Sequence, residues 1–107
     1  MRRGTTPKNY FRTEMDITGM DVLYITYKQS GNTAIEKTIN DITITEETEE
    51  EKTIYVAEVE LSQEDTLALS SVGDVEIQIR GRYPDGSAVA SNIIKTKVCN
   101  ILKEGII

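Results

Sequence analysis

Histidine and tryptophan are both absent from this chain of 107 residues, which also has only one cysteine and two prolines. Without an imidazole the chain cannot build a Ser-His-Asp triad, a Cys-His pair or a histidine-ligated zinc site. Neither a glycine-rich phosphate-binding motif nor a zinc-protease motif occurs in the sequence. We therefore expect a protein that is not an enzyme, needs no cofactor and takes no small-molecule substrate.

The single cysteine, Cys99, has no partner for a disulfide within the chain. This is typical of a protein made in a reducing compartment. A reactive thiol needs a cationic or imidazole neighbour, and no imidazole exists here. We therefore interpret Cys99 as a small buried apolar side chain near the end of the last strand.

Long apolar runs are also missing. The longest, residues 22 to 25, has four residues, whereas a membrane-spanning helix needs about 20. The opening Met1-Arg2-Arg3 is followed by residues of low hydropathy where the apolar part of a signal peptide would lie. We expect a soluble protein without an export signal and without a membrane partner.

The net charge is −6, so the chain lacks the basic excess that phosphate binding requires, and we expect no nucleic acid partner. The charges are unevenly distributed, because residues 1 to 13 carry +4, residues 41 to 65 carry −9 and residues 80 to 103 carry +4. Such polarity can steer a protein toward another copy of itself or toward a complementary partner, although charge blocks are more often simply solvated faces.

Residues 75 to 80 alternate between apolar and polar side chains, which is the period of a half-buried strand, and Tyr83-Pro84-Asp85-Gly86 is turn chemistry. About seven such segments with turn signals between them predict an all-β chain, folded as an immunoglobulin-like or fibronectin-like antiparallel β-sandwich. The expected strands are residues 8 to 15, 22 to 27, 34 to 39, 42 to 45, 55 to 61, 75 to 83 and 88 to 101.

Residues 1 to 7 read as an extended N-terminal arm, because Gly4 and Pro7 disfavour regular structure and the threonines supply no apolar anchor. Residues 8 to 107 then form a single domain, whose first strand lies at an edge. We interpret four polar residues of the arm as candidate contacts to another protein: Arg2, Arg3, Thr5 and Thr6.

Residues 22 to 27 are rich in β-branched and aromatic residues, which predicts a central strand. Two interpretations of its second face stay open. We favour burial of both faces within the domain; the alternative is a subunit interface, where tyrosine is enriched. The core face is assigned to Leu23, Ile25 and Tyr27, and the second face, the candidate interface, to Val22, Tyr24 and Thr26.

Five of the six residues from 46 to 51 are glutamates, which repel one another and predict an exposed hairpin tip. We favour a solvated loop over a Ca²⁺ site, because ordered calcium loops mix Asp, Asn, backbone carbonyls and glycine turns. The same residues are a candidate acidic epitope for a partner protein: Glu46, Glu47, Glu49, Glu50 and Glu51.

The only helical signal lies near residues 62 to 70, where Ser62 can cap the first turn and two acidic residues follow it. We expect one or two turns that cross one end of the sandwich, with Leu67 or Leu69 inserted into the core. In the last strand Ile94, Thr96 and Val98 have the inward parity, whereas upstream apolar residues have the opposite one. A bulge or a change of sheet near Ser91-Asn92 would reconcile the two halves.

Five segments, in order and spacing, carry a resemblance to known proteins: MRRGTTP, LSQEDTLAL, VEIQIR, DGSAVASNI and ILKEGII. Together they resemble short structural proteins encoded among the tail genes of phages and prophages of Gram-positive bacteria. Some of those proteins are similar to the N-terminal domain of phage baseplate upper proteins, which anchors receptor-binding parts. The resemblance implies no catalytic or metal-binding residue.

The resemblance implies a small tail or baseplate component, assembled in the bacterial cytoplasm and located in the virion. Its expected partners are other virion proteins and copies of itself. Two alternatives stay open: a phage-encoded module that binds a host protein through the acidic tip, and an adhesion-type sandwich domain of a bacterial surface protein. The second is disfavoured because no signal peptide or cell-wall sorting signal is visible.

Overall fold

The computed structural model describes all 107 residues, half of which lie in strands. The 3-10 turn Ile39–Asp41 follows the third strand, and helix α1 (Gln63–Leu67) follows the fifth. The predictions of a mostly β chain and of a short helix near residues 62 to 70 are confirmed, and the 3-10 turn is an additional element that was not predicted. The strands are β1 (Lys8–Thr13), β2 (Val22–Gln29), β3 (Asn32–Thr38), β4 (Ile42–Glu49), β5 (Lys52–Glu60), β6 (Val75–Arg82), β7 (Ala88–Ala90) and β8 (Ile94–Thr96).

The strands form two sheets, and every strand pair is antiparallel. The smaller sheet has the order β1-β5-β4, so β1 lies at an edge, as predicted. In the larger sheet β2 lies between β3 and β6, and β7 and β8 both pair with β6. A single cluster of 15 buried apolar residues includes Phe11 and Val59 of the smaller sheet and Ile25 and Ile77 of the larger. The two sheets therefore share one core.

Strand β2 is central in the larger sheet, and its core face is the predicted one. Leu23, Ile25 and Tyr27 are almost completely buried, and the Tyr27 hydroxyl accepts a 2.7 Å hydrogen bond from Asn9 in the other sheet. The turn that joins β2 to β3 places Ser30 and Gly31 in the left-handed region. Two consecutive positive φ angles give the type I′ geometry that matches the twist of a hairpin.

The predicted last strand is divided into β7 and β8 by a bulge. Ala90 pairs with Arg80 and Ile94 pairs with Ile77, so three residues lie opposite two residues of β6. Within the bulge the Ser91 hydroxyl accepts a hydrogen bond from the Ile79 amide, replacing a ladder carbonyl. The predicted bulge is confirmed, and the alternative of a change of sheet is wrong.

Ile94 does not have the burial that its inward parity suggested. It pairs with the core residue Ile77 and so projects from the same side, but 46% of its surface is exposed. The reason is its position at the outer edge of the sheet. Val98, further along, is buried as predicted.

Helix α1 begins as predicted at the cap Ser62. The Ser62 hydroxyl accepts from the Asp65 amide at 3.0 Å, and the Asp65 carboxylate accepts from the Ser62 amide at 2.8 Å. This reciprocal arrangement satisfies two amides that the helix leaves unpaired. Of the two candidate core residues, Leu69 is buried and Leu67 is half-buried.

The acidic run lies at the exposed tip of the β4–β5 hairpin, as predicted, but most of it is strand and not a loop. β4 continues through Glu49, and only Glu50 and Glu51 form the turn, with φ angles of 49° and 65°. The repulsion that argued against a regular element is reduced because side chains along a strand alternate between its faces. Charged residues on an edge strand such as β4 also discourage pairing with another chain.

Residues 1 to 7 lie against the domain. Arg2 forms a parallel bridge with Cys99, the Cys99 amide donates to the Met1 carbonyl at 2.7 Å, and Met1 packs against the core. This bridge also corrects the prediction for Cys99, whose side chain is exposed. Backbone hydrogen bonds to the N-terminal residues hold the segment that contains Cys99. The segment therefore stays in place without burial of the Cys99 side chain in the core.

Candidate interaction surface

The outer side of the larger sheet exposes the candidate interface that the sequence indicated. Tyr24 is 40% exposed, and Val22 and Thr26 are half-buried. The favoured interpretation, burial of both faces of the central strand, is therefore wrong. Each sheet is covered on one side only, where it packs on the shared core. No other part of the chain therefore covers the second face of β2.

The register of β2 against β6 determines which side chains share this surface. Directly opposite residues of an antiparallel pair project from the same face. Val22 pairs with Arg82, Tyr24 with Arg80 and Thr26 with Gln78. We name these six residues the β2–β6 face.

Arg80 is the distinctive member of the β2–β6 face. Its side chain is exposed and its guanidinium belongs to no ion pair of the structure, whereas Arg82 lies 3.8 Å from the Asp21 carboxylate. A planar guanidinium with five donors beside an amphipathic phenol ring is the combination that binding hot spots favour. Tyr24 and Arg80 thus form a pair that can bind a carboxylate and an apolar group together.

Two shallow grooves, of about 430 and 220 Å³, lie on this surface and share Arg80. The larger lies beside Thr26 and Gln78 and reaches Ile93, which is 55% exposed in the bulge. The smaller is lined by Val22, Tyr24 and Arg82. Both grooves are open to solvent. This is more typical of a surface that contacts another protein than of a pocket that encloses a small molecule.

The candidate residues of the N-terminal arm are divided between internal and exposed positions. Most hydrogen-bond donors of Arg3 are used within the domain. Its guanidinium donates to the carbonyls of Leu69 at 2.7 Å and Leu67 at 3.2 Å, and to the Glu104 carboxylate at 2.6 Å.

The other three candidate residues of the arm lie at the surface. Arg2 is exposed and donates to the Asn100 carbonyl. Thr5 and Thr6 are exposed. None of the four arm residues forms a hydrogen bond or an ion pair with a residue of the β2–β6 face.

The acidic residues of the β4–β5 hairpin are also divided. The Arg12 guanidinium lies 2.7 Å from Glu47 and 3.2 Å from Glu49, so these two carboxylates share one cation. The carboxylates of Glu46, Glu50 and Glu51 belong to no ion pair. No three Asp, Glu or Cys side chains of the chain are grouped so that they could hold a metal ion.

A charge pair lies at the N-terminal end of α1, away from this surface. The Lys37 ammonium lies 2.8 Å from the Asp65 carboxylate. Burial by itself raises the pKa of Asp65, but hydrogen bonds from Lys37 and Ser62 outweigh it and leave the pKa lowered. The pair is explained by its role in fixing α1 against β3.

Sequence reasoning missed Gln78, Arg80, Arg82 and Ile93 as members of the surface. The alternation over residues 75 to 80 did place Gln78 and Arg80 outward, which was the available signal. It could not show that β6 is the neighbour of β2, nor which residue stands beside Tyr24, because register is a long-range property.

No protein-family model, no curated protein and no solved structure matches this chain. No helix of the structure has the length and apolar character needed to cross a membrane.

Proposed function

We propose that this chain is a non-enzymatic structural protein of a phage or prophage, a small tail or baseplate component that works through protein–protein contacts. It assembles in the bacterial cytoplasm and resides in the virion, where it contacts other virion proteins and copies of itself. The observation that carries this proposal is the β2–β6 face, with exposed Tyr24 opposite an arginine that has no internal partner.

In the free chain the β2–β6 face leaves an apolar ring and an unpaired guanidinium in contact with water. A half-exposed tyrosine leaves apolar ring surface in water, and removing it from water contributes about 25 cal/mol per Å². An arginine without an internal carboxylate contributes little to stability but can form bidentate hydrogen bonds with a partner. Both features are therefore better explained by a contact with another molecule than by stability of the monomer.

We assign the fold to the immunoglobulin-like or fibronectin-like sandwiches, as a finer description of the two packed sheets. The support is the antiparallel pairing throughout, the shared core and the crossing at α1, where Leu69 is inserted. The resemblance of five segments to tail-gene products supports the phage assignment.

The test is co-expression of the chain with the products of the genes next to its own. We expect co-purification with at least one neighbour, lost in Tyr24→Ala and in Arg80→Ala. The control is Tyr10→Ala, because Tyr10 is 59% exposed on the outer side of the other sheet. If no neighbouring product binds and the chain does not self-associate, the proposal is wrong.

A second candidate is a phage-encoded module that binds a host protein. The observation in its favour is the group of three carboxylates without ion pairs at the exposed end of the β4–β5 hairpin, Glu46, Glu50 and Glu51. It predicts a monomer that forms one complex with a host protein, and that complex would be lost when Glu50 and Glu51 are replaced and kept in Tyr24→Ala.

A further inference from the structure

The β4–β5 hairpin projects beyond the rest of its sheet. β1 pairs with β5 only as far as Thr13 opposite Tyr55, whereas β4 and β5 continue for three more pairs up to Glu49 opposite Lys52. All residues from 45 to 53 are exposed. The end of the hairpin is therefore a free two-stranded ribbon, and we name residues 46 to 53 the acidic ribbon.

The ribbon keeps a strong negative charge after its internal ion pairs are counted. Its five glutamates are accompanied by Lys52, which pairs with Glu14, and by Arg12, which is shared between two of them. Glu46, Glu50 and Glu51 have no cation within ion-pair distance. The carboxylates at the turn are thus free to meet cations elsewhere.

The β2–β6 face and its surroundings carry more cations than carboxylates. Arg80 and Arg82 stand on β6, and a row across three strands places Lys28 and Lys95 on either side of Glu76. Lys28 and Lys95, like Arg80, belong to no ion pair. Two adjoining grooves on this surface can receive a narrow ribbon.

The ribbon cannot reach this surface within one molecule. The ribbon extends the smaller sheet, whereas the β2–β6 face is the side of the larger sheet that points away from the smaller one. We propose that the acidic ribbon of one copy docks on the β2–β6 face of a second copy, with carboxylates at the turn against Arg80 and neighbouring cations. This inference rests on the proposed function, because it names the partner of the same face.

The contact is between two different surfaces, so each copy offers one free surface of each kind. Such a contact forms a ring if the rotation closes and a filament if it does not. Because exposed charges carry much of the attraction, the association weakens as salt rises.

Two variants remove one half of the contact each. Arg80→Glu places a carboxylate where the ribbon would dock. Glu50→Asn with Glu51→Gly removes two charges from the turn while favouring its type I′ geometry, so the hairpin still forms. Matched controls are Lys103→Glu, an exposed cation elsewhere, and Glu64→Gln with Asp74→Asn, which remove two exposed acids elsewhere.

The test measures absolute mass by light scattering over a range of concentrations at low salt. We expect the unmodified chain and both controls to self-associate, and each variant to have a dissociation constant at least about ten-fold higher. A mixture of the two variants should associate again but stop at twice the monomer mass, because only one intact contact remains between them.

Persistent self-association of both variants, or a mixture that stays monomeric, overturns the inference. A chain that is monomeric at every concentration also overturns it. In each case the proposed function is decided separately, by the co-purification with neighbouring gene products and its loss in Tyr24→Ala.

Discussion

The side-chain amide of Gln29 hydrogen-bonds the backbone of Ser70 in both directions. Its Nε2 donates to the Ser70 carbonyl and its Oε1 accepts from the Ser70 amide, each at 2.7 Å. The same Nε2 lies 3.3 Å from the carbonyls of Val72 and Gly73. A buried side chain at the end of β2 thus holds the loop that joins α1 to β6.

Replacing Gln29 with Met keeps the side-chain length and removes these hydrogen bonds. Because the Ser70 amide and carbonyl would lose their partner in a partly buried place, we expect the free energy of unfolding to fall by about 1–3 kcal/mol. Urea denaturation followed by circular dichroism measures the change.

Gln63 provides the control, since its amide also bonds a backbone in both directions, at Ile107, but in an exposed place. Water can replace those bonds, so Gln63→Met should cost less than about 1 kcal/mol. An equal loss in the two variants would contradict the role given to burial.

Gly81 makes room for the Met20 side chain in the core. A Cβ at position 81 would collide with the Met20 sulfur and would lie 2.9 Å from the Val22 carbonyl oxygen. We expect Gly81→Ala to lower the free energy of unfolding by about 1–3 kcal/mol through overpacking. At Gly19 the nearest atoms of Tyr83 lie 3.8 Å from such a Cβ. Thermal unfolding should show Gly19→Ala close to the unmodified chain; similar losses at both sites would refute the steric explanation.

Arg3 links the N-terminal segment to the end of α1 and to the C-terminal residues. Its side chain is only 17% exposed, so its charge-assisted hydrogen bonds to the Leu67 and Leu69 carbonyls are partly shielded from water, whereas the one to Glu104 is exposed. Arg3→Ala should lower the free energy of unfolding by about 2 kcal/mol. For the exposed Arg2, which makes one such bond, Arg2→Ala should cost less than about 1 kcal/mol.

Deleting residues 1 to 7 should lower the melting temperature further, because Met1 packs against the core. An unchanged melting temperature on deletion would show that the segment is dispensable, as expected of a free arm.

Acid should weaken the fold partly through Asp65. Since its pKa is lowered from the ordinary value of 3.8, Asp65 contributes stability that is present above that value and lost as pH falls through the folded-state pKa. Asp65→Asn should therefore lower stability at neutral pH and flatten the loss below about pH 4. Hydrogen bonds also lower the pKa of Asp16, Asp41 and Asp85, so part of the acid sensitivity should remain. Unfolding curves from pH 2 to 7 that remain parallel for the variant and the unmodified chain would contradict this role.

Local patterns in the sequence were sufficient for most of the fold. The alternation in β2 and β6 identified the core residues Ile25 and Ile77, and Ser62 marked the start of α1. These features depend on neighbours within a few residues, so they are visible in the sequence itself. The same is true of the bulge at Ser91, which a change of parity revealed.

Most features that sequence reasoning missed depend on contacts between distant residues. Cys99 is exposed because its backbone pairs with the N-terminal residues, and Tyr24 is exposed because no third layer covers the larger sheet. The place of Arg80 beside Tyr24 follows from the register of β6 against β2. No local pattern encodes these pairings, since they link segments separated by more than 50 residues.

The claim that copies of the chain bind one another through the β2–β6 face is tested most directly by the absolute mass of the purified protein in solution. Light scattering at low salt should give a mass of at least two monomers for the unmodified chain and for Tyr10→Ala. Tyr24→Ala should give the monomer mass. A monomeric unmodified chain, or an oligomer of Tyr24→Ala with the same mass as the unmodified one, would contradict the account.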